Sequence, residues 1–118
     1  MKSLLLAAAI AISSGTAMAH SPLELTVPSN EAKMTAEPET IDMTFKKGIR
    51  LTKVLMTHAD HPAVSLELAG AKGFITEYSL PMQKMGPGIY LIEWRGLGQD
   101  GHTVNGDFTF SVEDSVEK

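Results

Sequence analysis

Two places in this chain carry side chains that could hold a metal ion. The first is Asp100-Gly101-His102, in a polar, glycine-rich loop within the stretch Ile89–Val112. In extended backbone, residues i and i+2 point to the same side, so the carboxylate and the imidazole can face one point. The second is His20, directly after Ala17-Met18-Ala19. A cut after Ala19 would make His20 the new N-terminus, with a free amine beside its imidazole. The reference pKa of such an amine, about 7.7–8.0, lets a metal displace its proton near neutral pH. Amine and ring nitrogen would close one chelate ring, which removes the entropy cost of recruiting a second ligand. His20, Asp100 and His102 together offer an amine, two imidazoles and a carboxylate. That planar N,N,N,O set suits tetragonal Cu(II); Zn(II) and Ni(II) would accept it too, but affinity for such ligands peaks at copper. Taken singly, neither place is specific. Asp-Gly is an ordinary turn dipeptide, and a loop histidine is usually just solvated. The set requires a fold that brings the two places together.

The cut is expected because residues 1–19 read as a secretory signal peptide. Lys2 supplies the positive start, Leu4–Ile12 is an apolar run too short to span a bilayer, and Ala17 and Ala19 form an A-x-A cleavage pattern. Residues 20–118 then form one small domain with a single core. The whole chain carries a formal charge of −4, and loss of Lys2 makes it one unit more negative. That balance argues against a nucleic-acid partner, which needs clustered Lys and Arg. There is no cysteine, which excludes a thiol nucleophile, a zinc–thiolate site and a blue-copper site. An exported domain this small without disulfides must be stabilised by packing, or partly by a bound ion.

The elements that must position these residues read as strands. Leu23–Val27 alternates apolar and polar residues from just after the expected new terminus, which would hold His20 in place. Glu31–Pro38 is polar and alanine-containing, a loop with at most one helical turn. Ile41–Phe45 alternates again, and Lys46-Lys47-Gly48 closes that strand. Leu51–Thr57, Val64–Leu68, Phe74–Leu80, Gly88–Arg95 and Val104–Val112 complete the set. Seven short strands with turn signals between them, and no helix-period stretch, predict an all-β sandwich or Greek-key barrel. Trp94 falls on the inner face of the sixth strand, where it reads as a core anchor.

Other candidates carry less. His58 and His61 form H-x-x-H around Asp60, which reads as a polar turn before Pro62. Thioethers select Cu(I), but Met43 and Met56 fall at strand positions and read as core filler. Met82 and Met85 lie in a loop and are the one credible thioether pair. No hydrolytic set stands out: Ser79 and Ser111 lack a nucleophile motif, and G-L-G-Q-D-G precedes no helix.

The mature start, HSPLELTVPSNEAKMTAEPETIDMTF, resembles the opening of the periplasmic copper-resistance CopC family. The ending, GIYLIEWRGLGQDGHTVNGDFTFSV, resembles that family's closing motif more closely: a G-x-Y-x-x-x-W strand, then D-x-H, then a G-x-F-x-F strand. The resemblance spans nearly all of residues 20–118 and is loosest over Lys46–Met85. It implies a seven-stranded immunoglobulin-like β-sandwich in the periplasm. It also implies a Cu(II) site made by the amine and imidazole of His20 with Asp100 and His102. The implied role is copper buffering, delivery or resistance without catalytic turnover, as a monomer. Its partner would be the copper ion, with a membrane copper transporter or another periplasmic copper protein as recipient. The dense Met-His segment of some members, which binds Cu(I), is lacking here, and Pro22 stands where some carry a further histidine. Two rival readings remain. A metal-free immunoglobulin-like interaction module would show no melting shift with copper. A copper-dependent oxygenase would need an open coordination position and a broad substrate platform.

Overall fold

A computed structural model describes residues 22–68 and 73–113. The expected leader, residues 1–19, and His20 lie outside them. The described residues contain no helix. They form seven strands: β1 Leu23–Val27, β2 Ala32–Met34, β3 Thr40–His58, β4 Val64–Ser65, β5 Ile75–Pro81, β6 Gly88–Gly98 and β7 Thr103–Val112. These curl into one continuous β-sheet in the order β1-β3-β6-β7-β2, with β4 and β5 also on β3. The all-β sandwich or barrel class expected from the alternation is the one found.

The long strand β3 organises the molecule. Asp42, Met43 and Thr44 pair with β1 on one edge and with β5 on the other. Ile49 pairs with β5 and with β6. β5 thus keeps one edge of β3, while β1 and β6 follow each other along the opposite edge. Lys46-Lys47-Gly48, expected to end a strand, is instead the corner where β3 passes from one partner to the next. Backbone pairing bridges the corner, since Lys46 N–H donates to Pro22 O at 2.8 Å. Gly48 fits there because a Cβ would come within 3.1 Å of the Phe74 backbone.

A second irregularity explains why β3 looked like two strands. Leu51 pairs with Gly96 and Lys53 with Arg95, so Thr52 is an extra residue. Such a bulge flips the facing of every later side chain. Ile41, Met43, Phe45, Ile49 and Leu51 are buried before it; Val54, Met56 and His58 are buried after it. The Tyr78 hydroxyl serves this irregular stretch, donating to Ile49 O at 2.6 Å and accepting from Leu51 N–H at 3.1 Å. Tyr78→Phe should therefore cost about 1–3 kcal/mol, because two buried backbone groups lose their partner. Urea denaturation of the two proteins measures this directly.

Two other expectations need correction. Residues 32–34 are not loop: β2 pairs in parallel with β7, Ala32 opposite Phe110 and Met34 opposite Val112. The fourth strand keeps only Val64–Ser65, although Leu66 N–H still donates to Val54 O and its side chain is buried. The core is one cluster in which Phe45 meets Trp94 edge-on at 5.2 Å and Tyr78 at 5.9 Å. Trp94, 2% exposed, is the core anchor expected of it. Its indole lies across Gly106, where an added Cβ would approach ring atoms to 2.9 Å.

Candidate metal centre

The strands β6 and β7 pair from Gly88–Val112 to Leu97–Thr103, and the loop between them carries the acid and the imidazole. Gly101 N–H donates to Gly98 O at 3.0 Å, and Gly98 N–H to His102 O at 2.9 Å. Gly101 adopts φ +90°, a left-handed turn conformation that glycine enters freely. The turn places Asp100 and His102 on one side. Asp100 Oδ1 accepts His102 N–H at 3.0 Å, and Oδ2 lies 3.0 Å from His102 Nδ1. A carboxylate only accepts, so Nδ1 carries the proton and Nε2 presents its lone pair outward.

Asp100 is acidified, chiefly by the His102 backbone N–H and then by the His102 side chain, so its carboxyl sits below the ordinary carboxylate range. The side chains are 83% (His102) and 70% (Asp100) exposed. A surface pair this open contributes little to stability. Its consequence is placement: an imidazole nitrogen, Nδ1, is held 3.0 Å from an anionic oxygen.

The start of β1 lies on the edge of β3 on which β6 ends. Pro22 O is bonded at Lys46, and β6 ends with Gly98 opposite Ile49, on the same edge of β3. Three extended residues separate those points, about 10 Å. The chain therefore enters β1 on the same edge of β3 along which β6 gives way to the Asp100–His102 loop. Among the described residues, no group of three or more His, Asp or Glu converges on one point.

The remaining candidates lie elsewhere. Met82 is not a free loop thioether: it is 8% exposed and part of the core, and Met85 packs against that core. His58 is not in an exposed turn. It ends β3, is 5% exposed and pairs with Tyr90. Gly98 is eight residues further along β6, so His58 sits about 26 Å from the acid–imidazole loop. The sequence carried a signal for this burial, since His58 continues the inward series Val54, Met56.

Comparison with known proteins gives this arrangement a family. Copper resistance protein C of Escherichia coli is 29% identical over 83% of this chain and 85% of its own length. Copper resistance protein C of Xanthomonas campestris pv. juglandis is 28% identical over 89% of both chains. The crystal structure of CopC from Methylosinus trichosporium OB3b superposes with a TM-score of 0.69, covering 84% of this chain and 99% of that one. At 23% identity, that last likeness is one of fold. The sequence pattern of the CopC domain matches residues 23–113, from the first residue of β1 to just past the last of β7, and the chain belongs to that family.

Proposed function

We propose that residues 20–118 form an exported, periplasmic Cu(II)-binding protein that buffers copper or hands it on, with no catalytic turnover. The observation that carries this reading is the shared edge. The chain enters β1 on the edge of β3 along which β6 gives way to the loop that displays Asp100 and His102. His20 stands two residues before Pro22, and two residues span up to about 7 Å. Its amine and imidazole would chelate the ion, and His102 Nδ1 and Asp100 Oδ2, which lie 3.0 Å apart, would add a second imidazole and an oxygen at adjacent positions once the ion displaces the proton between them. Three nitrogens and one oxygen form the tetragonal set that Cu(II) favours. The names of the relatives agree with copper as cargo.

The test is titration of the protein beginning at His20 with Cu(II), followed by electron paramagnetic resonance. One equivalent should give a tetragonal signal split by at least two nitrogens. A signal split by fewer would contradict the ligand set.

Affinity should depend on pH in a way that separates the ligands. The amine must lose its proton to bind, so affinity should fall about tenfold per pH unit just below about 7, and more steeply below about 6.5, where imidazoles ordinarily take up protons and cease to be ligands. Asp100 adds nothing to that slope. A carboxyl held below its ordinary range takes up its proton only at still lower pH, so it stays ionised between pH 5 and 8. Competition titrations across that window measure the slope.

A further inference from the structure

The H-x-x-H pair lies at the end of the sheet opposite Asp100 and His102, and its geometry is specific. His58 Nε2 lies 2.8 Å from Pro87 O. A carbonyl only accepts, so Nε2 holds the proton and Nδ1 of the neutral ring carries the lone pair. That Nδ1 lies 3.3 Å from Nδ1 of His61, with the ring planes 19° apart. An imidazole whose other nitrogen donates to a backbone carbonyl is oriented as metal-binding histidines are.

The surroundings hold this arrangement. The Tyr90 ring lies against His58 at 4.6 Å. Gly88 leaves room for the imidazole, because an added Cβ would come within 2.9 Å of Nε2. Ala59 turns the chain at φ +51°, and His61 N–H donates to His58 O at 2.9 Å. One clamp nitrogen is thus buried and fixed, and the other sits on an exposed residue open to solvent.

We propose that His58 and His61 form a second metal-binding clamp, built for a tetrahedral ion, Zn(II). With metal–nitrogen bonds of about 2.0–2.1 Å, nitrogens 3.3 Å apart subtend about 105–110° at the metal, the tetrahedral angle. A square-planar ion would need them about 2.9 Å apart, and a linear one about 4 Å. His61 Nδ1 also lies 3.0 Å from His58 O, to which it donates in the metal-free form. Binding shifts that proton to Nε2 of the same ring, so both rings stay neutral. His58 O keeps the His61 backbone N–H. No third His, Asp or Glu converges there among the described residues, so solvent completes the coordination and the ion exchanges readily.

The test uses the protein beginning at His20, labelled with 15N in its histidines. On addition of Zn(II), the Nδ1 resonances of His58 and His61 should shift together. In His61→Ala, an exposed substitution, the His58 response should disappear. Each ring is read separately, so zinc at His102 registers on other signals and the two sites stand or fall independently. Unchanged His58 and His61 resonances, or a His58 response that survives His61→Ala, would overturn the clamp.

Discussion

One residue placed ahead of His20 should weaken Cu(II) binding by roughly 100-fold or more. Altering a group that merely supports a metal ligand costs about 10–100-fold, and this change removes a ligand and opens a chelate ring. The added residue turns the α-amine into an amide, whose nitrogen has no free lone pair and becomes a ligand only at the cost of losing its proton. The His20 imidazole survives, but its chelate partner is gone. The fold should not suffer, because the change lies ahead of β1 (Leu23–Val27) and its pairing with β3. Competition titration should therefore show the loss of affinity while the metal-free melting temperature stays the same. Proteolytic removal of the extra residue should restore binding. Unchanged affinity would mean that the amine is not a ligand.

Phe45→Ala should be the most damaging single change to the corner itself. Phe45 is 2% exposed, sits opposite Leu23 of β1, and meets Trp94 of β6 and Tyr78 of β5 edge-on. It therefore joins the strand that delivers the N-terminus to the strand that ends in the acid–imidazole loop. Truncating a buried phenylalanine costs about 3–5 kcal/mol. In a domain of this size, that lowers the melting temperature by at least about 12 °C. Phe45→Leu keeps most of the volume and should cost much less. If the loss comes from this joint, Phe45→Ala should also loosen Cu(II) binding by displacing β1, whereas an equally buried change far from the corner should not.

The parts of the fold legible in the sequence were those with uninterrupted alternation. β6 and β7 show it plainly. In β1 the bounds were legible but the facing was not: a register shift between Leu23 and Leu25 leaves Leu25 and Val27 exposed and buries Thr26. Asp100 and His102 do lie side by side, but through the turn at Gly101 rather than the extended backbone assumed for their i, i+2 spacing. The corner was not legible. Lys46-Lys47-Gly48 has the composition of a strand end, but pairing with Pro22 on one side and the arrival of β6 at Ile49 keep β3 continuous. The extra residue Thr52 then reverses the alternation, so a single strand reads as two. β2 is three residues long, and its parallel partner lies at the other end of the chain; nothing local encodes that contact. His58 was misplaced for a related reason. The turn residues after it masked its position as the last inward residue of β3.

The central claim is that the N-terminus and the Asp100–His102 loop share one ion. The most direct measurement is the broadening of amide signals in an NMR spectrum of the protein beginning at His20, with less than one equivalent of paramagnetic Cu(II). The amides of Leu23, Lys47, Gly101 and His102 should disappear together, while those of Ala59 and Gly88 at the far end of the sheet stay sharp. Loss of Gly101 and His102 alone, with Leu23 and Lys47 unchanged, would contradict the account.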